Sequence, residues 1–401
     1  MNILFISDVY FPRINGVSTS ILTFRTRLIQ AGHRVVLIAP DYHINDEDDD
    51  DIIRISSRKV IFDEEDRLMR ASEIIKLTNK LERMNFDLIH IQTPFIAHHM
   101  GVHLSEALNV PRIESYHTFF EEYLYNNIPI IPRSWLRLVA RRFTVKQCNN
   151  INHIIVPSTA MHEVLIDYGV TTETSVLPTG IELEQFKDGC GQSFKAKHGI
   201  KSERPVLIHV GRVAHEKNID FLLRMLTYVW QEIPEVLLVI VGEGPAEKKL
   251  KKLSHNLGLS NNVKFLGYQD RSSELKDCYC SGDVFVFSSR TETQGLVLLE
   301  AMALGVPVIS TAVMGTRDIL KENHGALIAE EDERLFSKKV CKLLSNDILR
   351  KKLATEAPQY ARMWSADMMA NRLLELYQSL CYIQSESPKE RPPECKAESH
   401  T

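Results

Sequence analysis

Two carboxylates follow a predicted strand in the segment DVFVFSSRTETQGLVLLEAMALGVPVIS, residues 283–310. Glu292 falls in the loop at the end of the strand, where open α/β sheets bind ligands. Glu300 follows after seven intervening residues, in a helix that we expect to open near Gly295. The free amides of Gly295 and Leu296 at that helix N-terminus can bind an anion. The segment therefore predicts a ligand site at this strand end.

The spacing of the two glutamates bears on the kind of ligand. Eight residues of continuous helix would separate the carboxylates by about 12 Å, beyond the roughly 5 to 9.5 Å of paired glycosidase carboxylates. A Glu pair this far apart also arises by chance on helices. The position of Glu292 at a strand end favours the alternative, in which Glu292 and Glu300 hold two ends of one extended ligand.

A second strand end carries positive charge, in the segment GRVAHEKN at residues 211–218, directly after a predicted strand at 206–210. Arg212 supplies a forked set of donors and Lys217 a point charge, and both types of side chain bind phosphate oxygens. The segment indicates a diphosphate site. A solvated turn with incidental charges remains the alternative.

Two residues of the first half can face the same ligand. Gly16 follows the first strand and precedes a helical stretch, so its amide can face a phosphate from the opposite wall of a cleft. His117 ends a predicted strand and can face that cleft as well, although a lone histidine is more often structural.

Cofactor and metal motifs are incomplete. The segment VGEGP at 241–245 resembles the start of a dinucleotide fingerprint, but Glu247 occupies the third glycine position. His99 and His103 have the spacing of metal ligands and lack the glutamate of a zinc-protease motif. The sequence contains no P-loop and no G-x-S-x-G motif. We therefore expect no metal and no cofactor.

Short apolar runs alternate with segments of helical period in both halves, as in βαβ units with a parallel sheet. The predicted strands lie at 3–7, 35–39, 88–92, 112–117 and 153–157, and at 206–210, 236–241, 263–266, 284–287 and 306–310, with a helix at 67–84. The pattern predicts an α/β fold of two Rossmann-like domains. We place them at 1–187 and 188–383, divided at the Gly-rich segment DGCGQ and followed by a disordered polar tail at 384–401.

Composition narrows the function classes. The chain is 44% apolar and 25% charged, as in globular proteins. Its 48 basic and 52 acidic residues are too balanced for nucleic-acid binding by bulk charge. Seven scattered cysteines fit a reducing compartment, and no stretch approaches the about 18 consecutive apolar residues of a membrane span. We expect a cytoplasmic protein that neither spans a membrane nor binds nucleic acid.

One segment departs from this charge balance, because residues 123–162 contain no Asp or Glu. Its basic residues are Arg133, Arg137, Arg141, Arg142 and Lys146. At about 100° per residue, the arginines at 133, 137 and 141 share one helix face. The opposite face is predicted to hold Trp135, Leu136, Val139 and Phe143. Either that apolar face packs into the first domain and the arginines are merely solvated, or the helix lies on an anionic bilayer.

These residues together resemble glycosyltransferase family four, over about residues 1–380. Its members have the GT-B architecture, with two facing Rossmann-like domains, a C-terminal helix and a nucleotide-sugar in the cleft. By this resemblance, Glu292 binds sugar hydroxyls near the reacting carbon and Glu300 binds the ribose. Arg212 and Lys217 match the pair that holds the diphosphate.

The resemblance extends to both sides of the cleft. Gly16 matches the glycine of the phosphate-facing loop, and His117 matches the first-domain histidine near the sugar. The remaining expected donor-binding residues are Gln294, Gly295 and Leu296. Asn15 stands where many members have Gly, and Gln294 stands where Phe is more usual. The segment TETQGLV at 291–297 is similar to bacterial diacylglycerol glucosyltransferases.

The resemblance implies a retaining enzyme that moves a hexose, with glucose expected, from a nucleotide-sugar, with UDP-glucose expected, onto a hydroxyl acceptor. The leaving diphosphate departs on the face where the acceptor enters. The expected acceptor is a membrane lipid such as diacylglycerol, reached from the inner face of the cytoplasmic membrane. The alternatives are transfer to a lipopolysaccharide or another soluble or carrier-linked sugar, and a sugar-nucleotide-binding protein without turnover.

Overall fold

The computed structural model describes residues 1–43, 48–60, 63–117, 133–270 and 274–386. The first sheet has seven parallel strands in the order β3-β2-β1-β6-β7-β8-β9. They are β1 (Asn2–Ile6), β2 (Arg34–Pro40), β3 (Ile52–Ile55), β6 (Leu88–Ile91), β7 (Arg112–Ser115), β8 (His153–Val156) and β9 (Thr174–Val176). An antiparallel pair, β4 (Ser57–Val60) and β5 (Asp63–Met69), lies beside this sheet.

Five helices of the described residues connect these strands. They are α1 (Gly16–Gln30), α2 (Ala71–Glu82), α3 (Ile96–Leu108), α4 (Arg133–Cys148) and α5 (Thr159–Tyr168). The inner strands β1, β6 and β8 are buried along nearly their whole length, as expected for a parallel sheet covered on both faces. All carboxyl ends of the strands therefore meet at one edge, together with the loops that follow them.

The second sheet has six parallel strands in the order β12-β11-β10-β13-β14-β15. They are β10 (Val206–Val210), β11 (Leu237–Val241), β12 (Val263–Phe265), β13 (Val284–Phe287), β14 (Val308–Ser310) and β15 (Ala326–Ile328). The helices are α6 (Gly191–Lys197), α7 (Ile219–Glu232), α8 (Glu247–Asn256), α9 (Leu275–Cys280), α10 (Leu296–Ala303), α11 (Thr316–Ile319), α12 (Glu333–Ser345), α13 (Asp347–Ala361) and α14 (Ala366–Glu386). Because β10 lies between β11 and β13, the loop after β10 opens at a topological switch point, where such sheets bind ligands.

The chain passes between the two domains twice. The first crossing is formed by residues 177–181 and the return crossing by residues 364–366, and the two lie side by side. Leu177 packs in the core of the first domain and Ile181 in that of the second. The backbone of Ile181 pairs with the return crossing, since its N–H donates to Trp364 O at 2.8 Å and its carbonyl accepts from Ala366 N at 2.9 Å. A Cβ at Gly180 would lie 2.4 Å from Ala366 Cα, so only glycine allows this approach. The crossing thus precedes the break expected at residue 187.

The terminal helix α14 returns to the first domain, although it follows the second domain in sequence. Met369, Leu373 and Tyr377 are buried in the core around β1. The Tyr377 hydroxyl lies 2.5 Å from His90 Nδ1 on β6. The helix continues through Glu386, three residues into the segment predicted as a tail, and the rest of that segment lies outside the described residues.

Several element bounds differ from the sequence prediction. The predicted helix at 67–84 begins at Ala71, because residues 67–69 belong to β5. The edge strands β3, β9 and β15 were not predicted, since each is only three or four residues long. Among the described helices, none combines the length and the apolar character needed to cross a membrane.

Candidate functional site

A lysine and a glutamate from two neighbouring loops form an ion pair at the carboxyl edge of the second sheet. Lys217 ends a short 3-10 helix after β10, and Glu292 lies in the loop between β13 and α10. The distance from Lys217 Nζ to Glu292 Oε2 is 2.5 Å. Both side chains are about one-fifth exposed, at 19% and 20%. The structure thus brings together the two charges that the sequence placed at separate strand ends.

Arg212 lies in the same loop as Lys217, directly after β10, and is exposed. Among the described residues, its guanidinium has no hydrogen-bond or ion-pair partner. The forked donors are therefore available to an anion near the Lys217 ammonium.

The Glu292 loop is fixed by its backbone. The carbonyl of Glu292 accepts a hydrogen bond from Gly315 N at 2.9 Å, and a Cβ at Gly315 would lie 2.0 Å from Thr293 O. Gly295 caps α10 with φ +97°, a left-handed conformation that favours glycine. The helix begins at Leu296, so the separation calculated for eight helical residues does not apply. The free amides at this helix start lie next to Glu292, as predicted.

Glu300 lies on the inner face of α10 and is only 2% exposed. The buried hydroxyl of Tyr279 on α9 donates a hydrogen bond to Glu300 Oε2 at 2.6 Å. This contact fixes the orientation of the carboxylate, which has further lone pairs that can accept from hydroxyl groups of a ligand.

His209 was not anticipated from the sequence, because it occupies a core position of β10. It is fully buried, and its Nδ1 lies 3.1 Å from the carbonyl of Val286. A carbonyl only accepts, so Nδ1 carries the proton and Nε2 is an acceptor. Nε2 is buried without a partner among the described residues. Burial, helped by the nearby Lys217, lowers the pKa of His209 to about 4 although the hydrogen bond to Val286 acts in the opposite direction, so the ring is neutral at pH 7.

Gly16 is the first residue of α1 in the first domain. Asn15 caps this helix: its Oδ1 accepts from Ser18 N at 2.9 Å, and Ser18 Oγ accepts from Asn15 N at 2.9 Å. This capping box gives Asn15 a structural role at the start of α1. A Cβ at Gly16 would meet no atom within 4 Å, so open space lies in front of its exposed backbone.

His117 follows β7 at the carboxyl edge of the first sheet. Its Nε2 is buried without a partner among the described residues, and burial lowers the pKa of the ring to about 4. Gln92, which follows β6 and was not predicted from the sequence, is 1% exposed. Its Nε2 is also buried without a hydrogen-bond partner among the described residues. Unpartnered buried polar atoms are uncommon in proteins, and their presence at a ligand-binding edge points to polar partners there.

Asp8, which follows β1, was also not predicted from the sequence as a residue of this edge. Its carboxylate accepts hydrogen bonds from Thr93 Oγ1 at 2.9 Å and from Ala97 N at 3.1 Å, at the start of α3. Burial raises the pKa of Asp8 to about 7, although these hydrogen bonds act in the opposite direction. Asp8 therefore joins two loops of this edge.

The side-chain amide of Gln294, which was expected to bind the donor, forms hydrogen bonds within the protein instead. Thr179 N donates to Gln294 Oε1 at 2.8 Å, and Gln294 Nε2 donates to Thr179 O at 2.7 Å. Thr179 lies in the first crossing between the domains. The amide therefore links the Glu292 loop to that crossing.

Helix α4 carries the basic segment and presents a mixed surface. Leu136 and Ala140 face the core, whereas three apolar side chains are strongly exposed. These are Trp135 at 69%, Leu138 at 48% and Val139 at 56%. Trp135 and Val139, which the sequence grouped with Leu136 on one face, are thus exposed while Leu136 is buried, because the helix buries the stripe 136, 140, 144 and 147.

The basic residues of α4 lie on this outer surface. Arg137, Arg141, Arg142 and Lys146 are exposed, and Arg141 Nε donates to Tyr168 O at 2.9 Å. The side chain of Arg133 lies outside the described residues. Packing of Trp135 into the first domain, one of the two interpretations left open by the sequence, does not occur.

Comparison with known proteins identifies this fold of two Rossmann-like domains as the GT-B architecture of glycosyltransferases. Two family models cover most of the chain, Glycosyltransferase Family 4 at residues 14–185 and Glycosyl transferases group 1 at residues 192–360. The chain is 34% identical to alpha-monoglucosyldiacylglycerol synthase of Streptococcus pneumoniae, over 77% of this chain and 71% of the relative. It is 27% identical to the synthase of the same name from Acholeplasma laidlawii, over 77% and 80%. The chain belongs to glycosyltransferase family 4 and is a hexosyltransferase.

Solved structures confirm the predicted fold. Sucrose-phosphate synthase from Thermosynechococcus elongatus matches with a TM-score of 0.76 at 21% identity, over 95% of this chain and 99% of that one. Anabaena Alr3699/HepE, solved in complex with UDP and glucose, matches with a TM-score of 0.74 at 18% identity, over 95% and 100%.

Proposed function

We propose that this hexosyltransferase transfers glucose from UDP-glucose to a hydroxyl group of a membrane lipid such as diacylglycerol, with retention of the anomeric configuration. The observation that carries the donor half is the ion pair of Lys217 and Glu292, which lies beside the start of α10 and shares a loop with Arg212. This arrangement offers cations and free amides to a diphosphate and a carboxylate to the attached sugar. The HepE relative, crystallised with UDP and glucose, supports a uridine nucleotide.

The proposed roles follow from position. The charge that develops on the leaving diphosphate is stabilised by the side chains of Arg212 and Lys217 and by the amides of Gly295 and Leu296. This is electrostatic catalysis by groups that are already in place. Gly16 approaches the phosphates from the first domain, where its backbone is exposed and nothing fills the space in front of it.

Three further side chains contact the sugar and the ribose in this proposal. Glu292 accepts hydrogen bonds from sugar hydroxyls, and Glu300, oriented by Tyr279, accepts them from the ribose. His117 is neutral and has an unpartnered Nε2 among the described residues, so it can bond a sugar hydroxyl from the first domain.

The reaction breaks the bond between the anomeric carbon and the diphosphate oxygen and forms a bond from that carbon to the acceptor oxygen on the same face. The acceptor proton passes to an oxygen of the leaving diphosphate. Glu292 holds Lys217 at 2.5 Å beside the site, so the ammonium is already directed towards the loop that binds the sugar. Such preorganisation avoids reorganisation at the moment of reaction.

The acceptor half of the proposal is carried by α4. Trp135, Leu138 and Val139 are exposed beside several basic residues, and this combination is typical of helices that lie on anionic membranes. Each basic side chain near such a surface contributes about 1 kcal/mol. The names of the two synthases similar to this chain state a monoglucosyldiacylglycerol product, which supports a lipid acceptor. We place the enzyme on the inner face of the cytoplasmic membrane.

A donor and acceptor screen tests this function. The protein is first tested for thermal stabilisation by UDP- and GDP-sugars, and the stabilising donor is then incubated with a lipid extract and analysed by mass spectrometry. We expect UDP-glucose to stabilise and a lipid to gain one hexose. Hexose gain only on a lipopolysaccharide or a carrier-linked sugar would refute the lipid acceptor. Stabilisation without transfer to an acceptor or hydrolysis of the donor would indicate a binding protein instead.

A further inference from the structure

Gln294 connects the Glu292 loop to the backbone of the first domain crossing by two hydrogen bonds. One amide satisfies both the N–H and the C=O of Thr179, at 2.8 and 2.7 Å. Gln294 is 6% exposed and Thr179 is 4% exposed, so water does not replace these bonds readily. Only a side-chain amide has both a donor and an acceptor arranged for this pairing.

The connection continues into the first domain. The Thr179 hydroxyl lies 2.8 Å from Ser20 Oγ, and Ser20 is 1% exposed on α1. Helix α1 is the helix that begins at Gly16. Three buried polar residues therefore join the loop of Glu292 to the helix that faces the donor from the opposite domain.

The crossing has little freedom to absorb movement of this loop. On its C-terminal side, Gly180 lies against the backbone of Ala366, and Ile181 pairs with the return crossing. A shift of the Glu292 loop relative to the first domain must therefore break the amide pair or displace both crossings.

We propose that Gln294 is a positioning residue that fixes the Glu292 loop relative to the first domain. The inference rests on the proposed function, because it assumes that the sugar lies between Glu292 and His117. If the amide is replaced by an apolar group, the N–H and C=O of Thr179 lose their partners in a buried site. The crossing then moves so that these groups reach water. The Glu292 loop no longer keeps a fixed position relative to the first domain. A misplacement of about 1 Å can cost on the order of 100-fold in rate.

The test compares Gln294→Met, which keeps the volume and removes the amide, with Asn262→Leu as a matched control. Asn262 is 5% exposed and donates two bonds to backbone carbonyls, at 2.9 Å to Pro234 O and 2.8 Å to Val236 O, within the second domain alone. For each variant, kcat and KM with UDP-glucose, the Kd of UDP by calorimetry, and the radius of gyration by small-angle X-ray scattering are measured. Thr179→Val, which keeps the amide pair and removes the contact with Ser20, provides an intermediate variant.

We expect Gln294→Met to lower kcat by about 10-fold to 100-fold, with the Kd of UDP changed by less than about twofold and a larger radius of gyration. Thr179→Val should lower kcat less. Asn262→Leu should lower the melting temperature and leave kcat and the radius unchanged.

Three results would overturn the proposal. The first is a kcat of Gln294→Met close to that of wild type. The second is an equal loss of UDP affinity and kcat in Gln294→Met, which would mean that Gln294 contacts the donor directly. The third is the same loss of kcat in Asn262→Leu. If the wild type neither binds UDP nor turns over, the proposed function fails. The scattering comparison without nucleotide still tests the coupling of the domains, and an unchanged radius in Gln294→Met would then overturn it.

Discussion

At the scale of single residues, the site depends on charges that two separate loops bring together. The residue types after β10 and β13 made Arg212, Lys217 and Glu292 predictable, because strand ends of a parallel sheet meet at one edge. The direct 2.5 Å contact of Lys217 with Glu292 was not predictable, since it depends on how the two loops fold. His209 was missed because a histidine inside an apolar strand has no sequence signature that separates it from core residues.

Replacing Glu292 by glutamine should remove most turnover and change donor binding less. In the proposed function, the contacts of this carboxylate with sugar hydroxyls tighten as the sugar ring flattens, so they act mainly in the transition state. Steady-state kinetics and calorimetry with UDP-glucose separate the two effects. Glu184→Gln, at an exposed carboxylate outside the site, serves as control and should leave both unchanged. Turnover of Glu292→Gln equal to wild type would exclude this role.

Activity should survive EDTA. In the proposed function, Arg212 and Lys217 supply the positive charge that other transferases take from a divalent ion. Among the described residues, no group of three or more potential ligands from His, Cys, Asp and Glu could hold a metal. Replacing both cations by alanine should cost several kcal/mol of transition-state stabilisation, at about 1.5 to 3 kcal/mol for each charged hydrogen bond. Loss of wild-type activity in EDTA that manganese or magnesium restores would contradict this prediction.

At the scale of elements, the strands with continuous apolar runs were predicted well, and the bounds of β10 and β13 agree with the sequence prediction. For α4 the sequence left the buried face open, because helical periodicity alone does not say which of two apolar stripes the neighbouring elements cover. Leu136 and Ala140 meet the core, and this choice leaves Trp135 and Val139 outside.

The exposed surface of α4 should bind anionic vesicles in a salt-sensitive way. Changing Trp135 and Leu138 to serine should weaken binding to phosphatidylglycerol vesicles by about tenfold or more, because two apolar side chains no longer enter the interface. Changing Arg142 and Lys146 to glutamate should reduce binding most at low salt. Trp230→Ser, at the 39% exposed tryptophan of α7, is the matched control. A wild-type protein that ignores phosphatidylglycerol vesicles at low salt would rule out this membrane contact.

Asp8 should make stability depend on pH. Burial raises the pKa of the Asp8 carboxyl from 3.8 to about 7, so the protonated form is favoured in the folded protein. The stability gained from this protonation is complete below about pH 4 and is lost as the pH rises towards 7. Urea unfolding of wild type and Asp8→Asn from pH 4 to 8 should therefore show wild type losing stability relative to the variant over this range. Parallel curves would show that Asp8 does not titrate there.

At the scale of the whole molecule, two Rossmann-like domains follow from the repeated alternation of strands and helices. The two crossings and the return of α14 to the first domain did not follow, because these features depend on contacts between residues far apart in sequence. Tyr377 and His90 are 287 positions apart, yet they contact each other in the first core. The same long-range packing brings Gln294 to Thr179 and so joins the two halves of the site.

The most direct measurement of the central claim is proton NMR of the reaction itself, with UDP-glucose and diacylglycerol in anionic vesicles. We predict that UDP is released in step with a new glucosyl lipid and that the anomeric proton of this product has the small coupling constant of an α-linked glucose. A β-linked product would contradict the retaining mechanism. Release of UDP without any glucosyl lipid, or transfer only to a soluble sugar, would contradict the proposed lipid acceptor.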